Sequence, residues 1–175
     1  MSAEIENWKA AREEFVSQWG AIGNAWGINR TLAMIHALLM TSREPLSTDD
    51  IMAELRISRG NASTNLRELI GWGLIRQIVR KGERKEYFEA EKEVWKIFST
   101  VARERKRREL VPALEVLTRC ADQTKEDRSP EARAFHKQMA ELREFLKLAE
   151  RVVETIATSE QGRVLKFAAN LFAKR

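Results

Sequence analysis

Apolar residues recur at helical spacing along most of the chain and give way to strand-like alternation in one short stretch. Near the start, Ile5, Trp8, Phe15, Trp19 and Ile22 form a stripe of three- and four-residue steps interrupted at Arg12. That spacing predicts an amphipathic helix over about residues 3–23. Gly20, Gly23 and Gly27 weaken helical continuity and predict a bend or break. A stripe with two tryptophans must be covered, either by the chain's own body or by a second subunit.

The middle of the chain changes rhythm. Leu32, Ile35, Leu38 and Leu39 give a compact helix over 28–40, followed by a loop at 42–46. Ser47 or Thr48 then caps a second helix carrying Ile51, Met52 and Leu55, with Asp49 and Asp50 favourable in its first turn. Arg56 and Ile57 make a tight turn, and Ser58 caps a third helix that is expected to stop at Gly71. Two short helices joined by a tight turn are a helix-turn-helix. Alternation follows: a strand over 75–80, a glycine-containing turn at 81–84 and a return strand over 85–90.

The remaining pattern is helical. Val94, Ile97, Phe98 and Val101 begin a helix that Pro112 should kink or break. Pro130 suits the first turn of the next helix. There Phe135, Met139, Leu142, Leu146, Ala149, Val153 and Ile156 keep strict four-three spacing, the seam of a helical pair. The seam fits packing against residues 94–117 and fits subunit pairing equally. A last amphipathic helix is predicted over 161–172. The fold class is therefore mainly α with a small β-hairpin: a winged helix-turn-helix core flanked by N- and C-terminal dimerisation helices. The expected division is 1–27, 28–90 and 91–175.

The third helix carries the functional signal. Ala62, Leu66, Leu69 and Ile70 form its packing side, which leaves Arg59, Gly60, Asn61, Ser63, Thr64, Asn65 and Arg67 outward. A solvated helix would use Glu and Lys there, because Ser, Thr and Asn are poorer helix formers. In a DNA major groove the choice has a reason. Asn pairs with adenine edges, Arg with guanine edges, and Ser or Thr with bases or phosphates.

Charge sharpens this picture. The 175-residue chain has a net charge of +5, but its distribution says more. Arg56, Arg59, Arg67, Arg76, Arg80, Lys81, Arg84 and Lys85 face only Glu68 and Glu83 between residues 56 and 85. A local basic footprint is what a polyanion needs. Arg80, Lys81, Arg84 and Lys85 place it on the hairpin, which can meet the DNA backbone or minor groove. The candidate DNA contacts are thus Ser58, Arg59, Asn61, Ser63, Thr64, Asn65, Arg67, Arg80, Lys81, Arg84 and Lys85. A second basic run, residues 103–108, reads as a solvated helix face.

Other chemistry is thin. His36 and His136 lack companions at metal-ligand spacing, and Cys120 has no flanking set that would activate a thiolate. Phosphate loops, nucleophile elbows and paired carboxylates are missing, so no enzyme, metal or cofactor is expected. No apolar run could span a membrane, the first residues do not resemble a signal peptide, and a single cysteine suits a reducing cytoplasm.

The lead-in Ala25-Trp26-Gly27-Ile28-Asn29-Arg30-Thr31 and the run from Ser58 to Ile75 resemble the GbsR/MarR family of winged-helix regulators, over roughly residues 10–110. The resemblance implies a dimeric repressor or activator of transcription. The third helix would meet the groove and the wing would meet the flanking backbone. Some GbsR-type regulators respond to choline-like or betaine-like osmolytes, which an aromatic box can hold by cation–π attraction. Trp19 and Trp26 are the candidate ligand residues, set against plain core packing. The expected partners are double-stranded DNA, a second copy of the chain and a small-molecule effector. The alternative function is a winged-helix adaptor for protein contacts, which would prefer an acidic or apolar third helix.

Overall fold

The computed structural model describes residues 2–158; the helix expected over 161–172 lies outside them. The chain divides into two compact units, Met1–Val94 and Trp95–Arg175.

In the first unit, α1 (Ser2–Ala25) lies against α2 (Arg30–Thr41). The sequence expectation of a bend at Gly20 and Gly23 is corrected: α1 runs through both. Their lack of a side chain serves packing instead. A Cβ on Gly20 would stand 2.5 Å from Met34 Cγ, and one on Gly23 would stand 2.7 Å from Ala33 Cβ. The buried side of α1 is therefore Val16, Gly20 and Gly23, while Trp8, Trp19 and Ile22 of the apolar stripe are exposed. Arg12 interrupts the stripe because it has another task. Its guanidinium donates to Thr41 Oγ1 at 3.3 Å, Ser42 Oγ at 2.8 Å and Glu54 Oε2 at 3.3 Å, tying α1 to α2 and α3. Helix α1 ends before Gly27, whose φ of +77° suits a residue without a Cβ.

Asn29 caps α2 through Leu32 N. After the short strand β1 (Leu46–Ser47), Ser47 caps α3 (Thr48–Leu55) in a capping box with Asp50. The Asp50 carboxylate accepts from the Ser47 hydroxyl and backbone N–H, which lowers its pKa. Arg56 takes the left-handed conformation, φ 53°, and makes the tight turn into α4 (Arg59–Trp72), which Ser58 caps through Asn61 N. The stop expected at Gly71 is corrected to Gly73, at φ +76°. Gly73 N donates to Ile70 O and Leu74 N to Leu69 O, a Schellman closure.

Strands β2 (Ile75–Ile78) and β3 (Tyr87–Ala90) pair antiparallel, Ile75 opposite Ala90 and Ile78 opposite Tyr87. Both are shorter than the alternation predicts. β1, read as loop and helix cap from the sequence, adds to β3 with Leu46 opposite Phe88, in sheet order β1-β3-β2. Ile35, Leu38, Leu39, Ile51 and Leu69 are fully buried and, with Leu66 and Phe88, form the core beneath α4. Burial of each such side chain contributes roughly 1.5–3 kcal/mol.

The second unit holds α5 (Val94–Arg105, entered from the first unit), a π-helical turn over Lys106–Leu110, α6 (Val111–Thr124) and α7 (Pro130–Thr158). The π-turn is the local answer to Pro112, which has no N–H for the preceding turn and crowds its carbonyl. Lys106 lies 3.2 Å from Glu150 and 2.8 Å from Glu154, joining that turn to α7. The single seam expected on α7 splits. Met139, Leu146, Ala149, Val153 and Ile156 are half-buried, whereas Phe135 and Leu142 are exposed, as are Phe145, Leu148 and Val152 outside the seam.

Candidate nucleic-acid interface

The outward side of α4 is built by its neighbours. Ala62, Leu66 and Leu69 turn into the core, which presents Arg59, Gly60, Asn61, Thr64 and Arg67 to solvent. Ser58 is exposed at the helix start, and Ser63 is half-buried beside the wing. Two placements differ from the sequence reading. Ile70 is exposed rather than packed, and Asn65 is 3% exposed rather than outward. The Asn65 side chain donates to Asn61 Oδ1 at 2.7 Å and to Asn61 O at 2.8 Å. It cannot itself reach a base, but it orients Asn61, whose Nδ2 also donates to Thr31 Oγ1 at 3.4 Å. Arg67 Nε donates to Ser63 O at 3.2 Å, so its stem lies along the helix face.

The wing supplies the second set. Its turn closes by Glu83 N donating to Arg80 O, with Gly82 at φ +87°. Lys81, Arg84 and Lys85 are exposed. Arg80 is half-buried, with its guanidinium carbon 4.1 Å from the centroid of the Tyr87 ring. The Tyr87 hydroxyl donates to the Glu83 carboxylate, which raises its pKa. A further residue, Asp49, reaches this face from α3. Arg59 Nη2 donates to its Oδ1 at 2.5 Å, and Lys85 Nζ lies 3.3 Å from its Oδ2. The hydrogen bonds from Arg59 and then Lys85 lower the Asp49 pKa. In the sequence Asp49 is only a favourable first-turn acid, because its partners meet it only through the folded turn and hairpin.

A three-helix core with a basic hairpin after its last helix is the winged-helix arrangement. The model of the MarR family matches residues 26–85, the span from the end of α1 to the wing. Over that span the chain is similar to the winged-helix regulators of the MarR family. Among its relatives, the HTH-type transcriptional repressor GbsR of Bacillus subtilis (strain 168) is 24% identical over 166 residues, spanning 90% of each chain. A crystal structure of a transcriptional regulator superimposes with a TM-score of 0.67 at 25% identity, over 84% of this chain and 95% of that one. Both likenesses extend well past the matched MarR span, into the helices of the second unit.

Outside the interface, the two candidate ligand residues lie at the far end of α1. Trp19 stacks at a tilt on Phe15, with centroids 5.4 Å apart, and Trp26 is 68% exposed just beyond the helix. Among the described residues, no group of three His, Cys, Asp or Glu side chains is placed to hold a metal ion. His36 is buried in α2, and His136 sits 2.9 Å from Ala121 O between α6 and α7. No described helix is long and apolar enough to cross a membrane.

Proposed function

We propose that the protein is a cytoplasmic homodimer that binds specific sites on double-stranded DNA and regulates transcription from them. The observation that carries this reading is the exposed side of α4, where Asn61, Thr64 and Arg67 face solvent on a short helix held from beneath by Leu66 and Leu69. In the complex α4 lies in the major groove. Asn61 and Arg67 read base edges, Ser58, Ser63 and Thr64 bind bases or phosphates, and Arg59 stands at the helix N-terminus where a phosphate is favoured. Arg80, Lys81, Arg84 and Lys85 of the wing hold the adjoining backbone. Asn65 acts through Asn61.

The dimer reading rests on two uncovered apolar stripes. One is Trp8, Trp19 and Ile22 on α1; the other is Phe135, Leu142, Phe145, Leu148 and Val152 on α7. Two copies also give two half-sites, which one recognition helix cannot supply. The likeness to a transcriptional repressor favours repression as the sign of control. Control by a small-molecule effector belongs to the same reading. A ligand of the native state raises the melting temperature, so a panel of osmolytes and aromatic acids screened by thermal shift finds it.

Gel-shift titration of the wild-type protein against duplexes from the promoter beside its own gene tests the whole reading. It is expected to show retained complexes at low ionic strength, and an affinity that falls linearly with salt on logarithmic axes. Absence of any retained duplex at low salt contradicts it.

A further inference from the structure

Asp49 is the acid that reaches into the middle of the DNA face. Its oxygens are divided between two cations from different elements, Arg59 at the start of α4 and Lys85 on the return limb of the wing. The side chains of Arg59, Lys85 and Asp49 are 66%, 60% and 46% exposed. Ion pairs this exposed contribute little to folding, so stability does not account for the arrangement. It acts instead on direction and on charge. A loose guanidinium and a loose ammonium at a helix N-terminus serve any phosphate that comes near. Held by one carboxylate they point one way, and part of their field is cancelled. Arg59 keeps N–H donors beyond the one given to Asp49. The same carboxylate links three parts that must meet one duplex together: α3, the start of α4 and the wing.

We propose that Asp49 is a positioning residue that sets sequence selectivity, aligning Arg59 and Lys85 for the cognate groove while withholding their charge from random DNA. The inference rests on the assignment of α4 as the DNA-reading helix. In a cognate complex the bridge stays closed and the base contacts of Asn61 and Arg67 supply the discrimination. On random duplex the missing base contacts would have to be replaced by phosphate contacts, and the bridge removes two cations from that role.

The test uses the full chain, a duplex selected by the wild type from a random pool, and an unselected duplex of equal length. Asp49→Asn keeps the shape and an acceptor oxygen but drops the charge; Asp49→Ser is a second variant that retains a good first-turn residue. Binding is followed by fluorescence anisotropy across a salt series, with thermal melting to confirm that each variant is folded. The expected result is a rise of about three- to ten-fold in affinity for the unselected duplex, with its salt slope steeper by about 0.9–1.8 as two cations are freed. Affinity for the selected duplex stays level or falls, so the ratio of the two drops at least about three-fold. Adding Asp49→Asn to the Arg59→Ala, Lys85→Ala double variant changes nothing. Equal gains on both duplexes mark simple removal of a negative charge and overturn the inference. So does an Asp49 effect that persists without its two partners. A wild type that selects no sequence and holds no duplex at low salt removes the DNA-reading assignment itself, and the inference with it. A wild type that selects an operator whose preference Asp49→Asn leaves intact removes the inference alone.

Discussion

His36 should make this fold sensitive to mild acid. The ring is 5% exposed in α2, and its Nε2 is buried without a hydrogen-bond partner. Burial disfavours the imidazolium and lowers the pKa from 6.5 to about 4. In the unfolded chain the same ring titrates near 6.5. Between these values the unfolded chain takes up a proton that the folded one refuses, so acid favours unfolding. The contribution of His36 is whole above pH 6.5 and is lost progressively as pH falls toward 4. At about 1.36 kcal/mol per pH unit, the loss comes to roughly 3 kcal/mol. That is a large share of a typical stability of about 5–15 kcal/mol. The assay is urea unfolding at steps from about pH 7.5 to about pH 4.5, read as the extrapolated free energy. The wild type should lose most of this amount. His36→Leu, similar in volume and without a titrating group, should hold its stability over the same range. Asp50, whose pKa is lowered by Ser47, titrates below this window and affects both proteins alike. A flat wild-type profile, or a His36→Leu profile that falls as steeply as the wild type, excludes buried neutral His36 as the source of the acid sensitivity.

Other outcomes follow from packing and charge. Gly23→Ala puts a Cβ against Ala33 Cβ, so overpacking of about 1–3 kcal/mol outweighs the roughly 1 kcal/mol gained in helix propensity, and the melting temperature falls. Gly71→Ala meets nothing within 4 Å and should raise it by calorimetry under the same conditions. Phe145→Lys, at a position 66% exposed on α7, should leave the circular dichroism spectrum unchanged and shift sedimentation from dimer to monomer; a dimer that persists points to the α1 stripe alone. Arg84→Ala should shallow the salt slope of DNA binding by about 0.9 without altering base preference.

The order of elements from α2 to the wing was legible in the sequence because several signals agree there. Caps at Ser47 and Ser58 mark helix starts by chemistry, and the switch to alternation after Leu74 marks the hairpin, whereas the cap at Asn29 shows only in the structure. The misread positions share a physical cause: sequence periodicity shows which side of an element is apolar but not what covers it. On α1 the aromatic stripe is apolar yet uncovered, and the covered side is Val16, Gly20 and Gly23, which close approach to α2 requires to be small. On α7 the four-three spacing merges residues that face α6 with residues that face outward. Gly71 and Gly73 are equivalent as letters, and only the latter takes positive φ. Asn65 reads as polar and hence outward, but its amide is satisfied locally by Asn61, so it can be buried. The bridge of Asp49 to Arg59 and Lys85 joins residues distant in sequence, and only the fold brings them together.

If the exposed side of α4 reads bases, the base-preference profiles of wild type and Asn61→Ala must differ. Both are to be selected from the same pool of random duplexes. Paired half-sites are predicted for the wild type, with one position in each half-site losing about 1–3 kcal/mol of discrimination in the variant. Identical profiles for the two proteins, or a wild type that enriches nothing, contradict base reading by α4.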